Sequence, residues 1–83
     1  MSSQVIKILT GGGTVELEDK HPALEELQEA VGGLIMVVNI ACGIMVVDEE
    51  GVLKEKSHNM VASVLANQRI VGDVVVMPSD YLE

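Results

Sequence analysis

Residues 34–47 read LIMVVNIACGIMVV and form the longest apolar stretch of the chain. Its two parts, 34–40 and 44–47, are rich in β-branched residues and apolar at successive positions, which predicts two β-strands. A strand with one wet face alternates apolar and polar residues, so we expect these strands to be buried on both faces. The stretch has 14 residues and is interrupted by Asn39 and Gly43, whereas a membrane-spanning helix needs about 18 or more. We therefore expect no contact with a membrane.

A β-hairpin is predicted ahead of this stretch. Residues 4–9 are β-prone, three glycines at 11–13 interrupt them, and residues 14–18 alternate polar and apolar side chains. Two such runs around a Gly-rich turn are typical of a hairpin. We expect Val15 and Leu17 to face the core, and the glutamates that follow each of them to face water.

An amphipathic helix is predicted for residues 23–31. Leu24, Leu27 and Val31 recur at helical spacing, and the acidic side chains of the segment fall on the opposite side. Two glycines follow at 32–33, and a glycine just past the last turn closes many helices.

The second half of the chain predicts a turn, a strand, a helix and a final strand. The acidic residues at 48–50 and the glycine at 51 have the composition of a turn, and residues 52–55 are expected to return as a short strand. Asn59 is expected to cap a second helix over residues 60–66. The apolar run within 70–77 predicts the last strand.

The fold class that follows is α+β, with one domain over residues 1–83. The predicted order is ββ-α-βββ-α-β, which favours a mainly antiparallel sheet with two short helices on one face. Two short helices cover one side of a sheet that is apolar on both sides, so we expect a second copy to cover the other. This predicts a homo-oligomer, most simply a two-fold dimer.

The net charge of the chain disfavours nucleic acid as a binding partner. Thirteen acidic and five basic residues give a formal net charge of −8. Direct nucleic-acid binding is not expected, because phosphate contacts depend on Lys and Arg. The single cysteine, Cys42, cannot form an internal disulfide, and together with an N-terminus that lacks a signal-peptide pattern this predicts a cytoplasmic protein.

No recognisable catalytic constellation is present, so an enzyme is not expected. Cys42 lies among apolar residues and is predicted to be a buried thiol. The adjacent acids at 48–50 lack the alternate spacing of a calcium loop, and no metal or other cofactor is expected. Three polar residues are candidates for binding a ligand: Asn39 interrupts an apolar strand, Asn59 begins the second helix, and Arg69 is the only arginine in the chain.

Three segments together resemble a family of phage, prophage and plasmid-associated proteins known as domain of unknown function 3846. Residues 23–35, ALEELQEAVGGLI, are similar to its LEALQ-x-x-VGGYIE signature. Residues 48–54, DEEGVLK, with Asn59 further on, resemble its NEEGKLKGLP-x-N segment. Residues 70–76, IVGDVVV, resemble its closing strand. The chain departs from the pattern in three places: Leu34 replaces a Tyr, Ser57-His58 replaces Leu-Pro, and Met60 replaces an Arg.

The resemblance implies a phage or mobile-element protein that acts in the host cytoplasm, and it implies no activity. The leading hypothesis is a non-catalytic binding or interaction module that self-associates and engages a host protein or a small ligand. Two alternatives stay open. One is a small-ligand or nucleotide-binding protein with a pocket at a subunit interface, near Asn39, Asn59 or Arg69. The other is an acidic DNA mimic that inhibits a host defence enzyme.

Overall fold

A computed structural model describes residues 5–17, 24–41 and 43–79 of the chain. It confirms the α+β class, with five strands and two helices among the described residues. In chain order these are β1 Val5–Ile8, β2 Thr14–Leu17, α1 Leu24–Val31, β3 Ile35–Ile40, β4 Gly43–Asp48, α2 Met60–Ala66 and β5 Val74–Met77. The predictions for Glu18 and Cys42 fall outside the described residues.

The five strands form one antiparallel sheet in the order β2-β1-β5-β4-β3. The predicted antiparallel arrangement is therefore confirmed. β4 and β5 lie inside the sheet, and β4 is buried from Ile44 to Asp48. Burial on both faces of β4 agrees with its apolar side chains at successive positions, since alternate residues of a strand point to opposite faces.

The two helices pack on opposite faces of this sheet, and the prediction that they share one face is wrong. Leu27 and Val31 of α1 pack in one apolar cluster with Val46 of β4. Ala62 of α2 packs in a second cluster with Met45, the neighbour of Val46. Because both sets of β4 side chains need cover, one helix shields each face. A bare sheet face therefore no longer supports self-association.

The strand predicted over residues 52–55 is also wrong, because this segment is a run of turns. The amide of Gly51 donates to the carbonyl of Asp48 at 3.1 Å, and the amide of Lys54 donates to the carbonyl of Glu50 at 2.9 Å. These local bonds take the place of strand pairing, so the observed order is ββ-α-ββ-α-β. The turns return Lys54 toward Asp48, which a strand running away from β4 would not do.

The hairpin of β1 and β2 is confirmed. The amide of Leu9 donates to the carbonyl of Gly13 at 2.8 Å across the turn. Leu17 packs against the cluster beneath α1, as expected. Val15 is 44% exposed, because β2 is the last strand of the sheet on that side and α1 leaves this position uncovered.

Candidate interaction surface

The strand β3 forms one edge of the sheet. Leu34 accepts a hydrogen bond from the amide of Glu49 at 2.8 Å, which places the even-numbered residues of β3 in hydrogen-bonded pairs with β4. Hydrogen-bonded and non-bonded pairs alternate in an antiparallel ladder. The backbone groups of Ile35, Val37 and Asn39 therefore point away from the sheet, toward the open edge.

The helix α2 shows an apolar side to solvent. Within Met60–Ala66 only Ala62 is buried. Val61, Val64 and Leu65 lie at i, i+3 and i+4, so they share one side of the helix; they are 39%, 75% and 42% exposed. An apolar sequence thus contributes little to the core of the chain. We call the open edge of β3 and this side of α2 the β3–α2 surface.

The strand and the helix of the β3–α2 surface come from segments without charged residues, and Glu49 and Arg69 line a small cavity beside Met36 of β3. Segments 34–47 and 59–68 contain none of the 18 charged residues of the chain, and α2 packs over β3. The formal charge of −8 is therefore carried by other parts of the chain. A partner that docks along β3 and α2 meets mainly aliphatic side chains and open backbone groups, so the surface is suited to apolar contact.

Asn59 holds α2 in place. Its side chain is fully buried, and its Oδ1 accepts from the amide of Ala62 at 3.1 Å, which confirms the predicted N-cap. Its Nδ2 donates to the carbonyls of Ile8 at 3.1 Å and Gly72 at 2.9 Å. Both polar ends of the side chain thus have partners within the fold, and a ligand-binding role for Asn59 stays a prediction.

Ser63 and His58 form a pair that the sequence did not suggest. The Ser63 Oγ accepts from the amide of Ile70 at 2.8 Å, donates to the carbonyl of Asn59 at 2.7 Å and lies 3.0 Å from His58 Nε2. A hydroxyl has one proton. The carbonyls of Asn59 and Ile70 both lie within reach of that proton, so the contacts of Ser63 join α2 to the segments before and after it.

Arg69 and Asn39 are both exposed but lie apart. Arg69 lines a cavity of about 80 Å³ together with Met36 of β3 and Val52. Asn39 lies three residues further along β3, about 10 Å away at the usual rise of a strand. Asn59 is inside the fold, so the structure does not gather the three predicted ligand residues into one pocket.

A buried ion-pair cluster joins the segment after β4 to the end of α1. The Asp48 carboxylate is inaccessible to solvent, and its Oδ2 lies 2.7 Å from Lys56 Nζ and 3.1 Å from Lys54 Nζ. Lys54 also donates to the carbonyl of Gly32 at 3.0 Å, and Lys56 donates to the carbonyl of Val31. The two ammonium groups therefore satisfy the last carbonyls of α1, where positive charge is favoured by the helix dipole.

The two glycines after α1 make room for this cluster. Gly32 has φ +86°, the left-handed conformation that ends a helix. A Cβ on Gly33 would collide with Lys54 Nζ and would lie 3.0 Å from the oxygens of Asp48. Any residue larger than glycine at position 33 would therefore have to displace the ion pairs.

The electrostatics of the cluster favour an ionised Asp48. Burial raises the pKa of this carboxyl, but hydrogen bonds from Lys56, the Glu50 amide and Lys54 outweigh it and lower the pKa to about 2. The carboxylate therefore stays charged at neutral pH and acts as a structural anion.

A shallow cleft of about 380 Å³ lies beside the cluster. Ligand sites in proteins usually have volumes of roughly 300–1,000 Å³. The polar side chains that line this cleft have both signs of charge and come from β1, α1 and the loops before α2 and β5; they are Lys7, Thr10, Glu29, Lys56, Ser57 and Asp73.

The profile of the family described as Domain of unknown function (DUF3846) matches residues 3–81. The chain belongs to this family. No curated protein and no solved structure shows significant similarity to it. The resemblance seen in the sequence is thus confirmed over nearly the whole chain.

The DUF3846 signature segments meet in three dimensions. The glycines of the first segment accommodate the lysines that contact Asp48 of the second, and Asn59 donates to the carbonyl of Gly72 in the third. These contacts give the signature residues a role in building the fold. The contact between Lys56 and Asp48 could not be predicted from the spacing of the signature segments, because it is formed by the turns that follow β4.

Over residues 5–17, 24–41 and 43–79, no group of three or more His, Cys, Asp or Glu side chains is placed to hold a metal ion. Neither α1 nor α2 has the length or apolar character to cross a membrane.

Proposed function

We propose that this DUF3846 protein is a non-catalytic interaction module that self-associates and, as an oligomer, engages a host protein. We further propose a phage or mobile-element origin and a site of action in the host cytoplasm, following the resemblance of its signature segments. The observation that carries the proposal is that β3 and α2, which expose apolar side chains, contain no charged residue in a chain whose formal charge is −8.

The free energy of association comes from apolar burial. Met36 and Val37 on β3 are 46% and 41% exposed, and Val64 and Leu65 on α2 are 75% and 42% exposed. Burial of apolar surface contributes about 25 cal/mol per Å². Single exposed aliphatic residues are ordinary, but several of them on neighbouring elements with an open strand edge favour a protein partner.

The acidic remainder of the surface suits a second role. The exposed acids include Glu25 and Glu29 on α1 and Glu49 and Glu50 after β4. Such a field speeds association with a basic partner and disfavours nucleic acid. An apolar self-association surface and an acidic target surface are thus carried by different parts of the chain.

Sedimentation equilibrium over protein concentrations from micromolar to hundreds of micromolar tests the first half of the proposal. We expect a mass that rises from 8.8 kDa toward twice that value, with little change between low and high salt because the surface is uncharged. A constant mass of 8.8 kDa over this range would contradict it. For the second half, the oligomer immobilised as bait should retain a defined host protein in a salt-dependent way.

A second candidate function is the binding of a small polar ligand in the cleft beside the Asp48 cluster. The observation that favours it is that Lys7 and Lys56, two of five basic residues, line one cleft of about 380 Å³. Native mass spectrometry of freshly purified protein should then show a retained mass, and Lys7→Ala should remove it. Protein that carries no additional mass would count against this function.

A further inference from the structure

We propose that the second copy pairs with the first through the open edge of β3, antiparallel and about a two-fold axis at Val37, to give one continuous ten-stranded sheet. This inference rests on the proposed self-association and names the surface that performs it. A strand that pairs antiparallel with its own copy generates a two-fold axis without any further requirement.

The two edges of the sheet differ in how they are protected. Natural proteins guard exposed edge strands with charged residues, prolines or bulges. β2 carries Glu16 in its four-residue strand. β3 is longer, with six residues of sequence IMVVNI, and has neither a charge nor a proline. An edge strand of this length and composition, without a charged residue or a proline, is favourable for pairing with another strand.

The outward backbone groups of β3 define the register. Ile35, Val37 and Asn39 present their amides and carbonyls to the open edge. Pairing Val37 with Val37 of the second copy sets Ile35 opposite Asn39 in both directions, so all three residues form hydrogen-bonded pairs. Shifting the strands by two residues either way leaves part of each set unpaired, and the central register is therefore favoured.

The side chains suit this register on both faces of the sheet. Met36 of one copy would lie beside Val38 of the other on the α2 face, and Val37 would meet its own copy on the α1 face. Such cross-strand pairs of apolar residues are stabilising. Because α2 packs over β3, the axis also brings the two α2 helices to neighbouring positions, with Val64 and Leu65 available for contact.

The edge of β3 and the exposed side of α2 set the size of this interface. A six-residue strand is about 20 Å long, and its two faces together with the exposed side of α2 offer an extended apolar area. A stable dimer buries about 800 Å² on each partner, against a total accessible surface of 5130 Å² for the chain.

The absence of charge in segments 34–47 and 59–68 favours a second copy over a partner of opposite charge. Two chains of formal charge −8 repel each other wherever acidic surfaces face one another. β3 and α2 themselves carry no like charges that could oppose each other in a dimer. They also offer no carboxylate to a basic partner, and Arg69, which lies beside Met36 of β3, would repel one.

Val37 and Val15 provide a matched pair for the test. Both are valines within the two edge strands, and they are 41% and 44% exposed. Val37→Glu would place two carboxylates across the proposed axis, which is destabilising for a cross-strand pair. Val15→Glu would lie opposite Lys7 within its own chain, so it leaves the fold intact and serves as the control.

Sedimentation of the two variants gives the first readout. We expect Val37→Glu to raise the dimer dissociation constant at least about tenfold, and Val15→Glu to leave it unchanged. Circular dichroism melts on both variants would show that each is folded, because each side chain is partly in solvent in the single chain.

Cysteine cross-linking gives a second readout that does not depend on weakening the dimer. In a Cys42→Ser background, Val37→Cys should form a disulfide-linked dimer rapidly under mild oxidation. Residues in a hydrogen-bonded pair have Cα atoms about 5.5 Å apart, within the range that a disulfide spans. Val15→Cys should cross-link only slowly, by collision.

The outcomes separate the two proposals. A dimeric wild type whose Val37→Glu variant dimerises equally well, or whose Val15→Cys variant cross-links as fast as Val37→Cys, overturns β3 pairing and leaves self-association standing. A wild type that is monomeric throughout overturns both. A dimer that is lost in Val37→Glu and linked rapidly through Val37→Cys supports both.

Discussion

The two helices of this protein are of nearly equal length and are used in opposite ways. α1 directs Leu27 and Val31 into the core and its acidic side chains into solvent. α2 directs the small side chains of Ala62 and Ala66 inward and leaves Val61, Val64 and Leu65 exposed. α1 is thus a conventional amphipathic helix, whereas the larger apolar residues of α2 lie on the side that faces solvent in the single chain.

Polar contacts at one end position each helix. The last carbonyls of α1 are satisfied by Lys54 and Lys56 around Asp48, and the first turn of α2 is capped by Asn59. α1 adds the burial of two large side chains to this anchor, whereas α2 adds only the burial of two alanines. The comparison teaches that α2 depends more on polar contacts, from Asn59 and Ser63, than on large buried side chains.

The largest expected effect is on the core side of α1. Leu27→Ala should lower the free energy of unfolding by about 3 kcal/mol, because a leucine that is 1% exposed loses its contacts and leaves a cavity. Leu65→Ala on α2 is the matched control and should cost less than about 1 kcal/mol. Urea unfolding at one low protein concentration measures both; equal losses would contradict the contrast between the helices.

The cap of α2 comes next. Asn59→Ala should cost about 2 kcal/mol, because it removes the N-cap acceptor and leaves the buried carbonyls of Ile8 and Gly72 without their donor. Asn67→Gly, at the other end of α2, is the control. Asn67 has φ +56°, a conformation that glycine adopts readily, so its stability should change little. If Asn59→Ala melts like the wild type, the cap is not what holds α2.

Much of this contrast could be predicted from the sequence. The spacing of the apolar residues specified α1, and Asn59 specified the start of α2. Burial on both faces was predicted correctly for β4 but wrongly for β3, which is an edge strand without a buried residue. The helix that covers each face of the sheet could not be predicted. Periodicity shows which residues lie on the same side of a strand or helix, but it does not show which element packs against that side. Sequence alone therefore placed both helices together.

The Asp48 cluster and residues 52–55 illustrate the same limit. Val52 and Leu53 have strand-like composition but are exposed, since the turns around them serve to return Lys54 and Lys56 to Asp48. Contacts between residues distant in sequence, such as Lys56 with Val31, leave no local pattern. Asn39 and Arg69 were singled out for their residue type, and their ligand-binding role stays a prediction.

The anchor of α1 should show a pH dependence. The folded pKa of Asp48 is about 2, below the ordinary value of 3.8, so the ion pairs contribute stability above about pH 4 that is lost as pH falls through 2. We expect about 1 kcal/mol, since water reaches both lysines and screens the pairs. Asp48→Asn is the control: its stability deficit against wild type should be constant above pH 4 and shrink below it. A deficit that does not depend on pH would mean that the charge of Asp48 is unimportant.

The smallest expected effect is a change in stability whose sign differs between the two helices. Val31→Ala on α1 removes a side chain that is 2% exposed and should destabilise the chain. Val64→Ala on α2 removes one that is 75% exposed, so little burial is lost. Alanine favours the helix over valine by about 0.5 kcal/mol, and the single chain should become slightly more stable. The same substitution would then act in opposite directions on the two helices in urea unfolding at low protein concentration. If Val64→Ala instead destabilises the chain at that concentration, Val64 supports the fold, and the apolar side of α2 is not reserved for a partner.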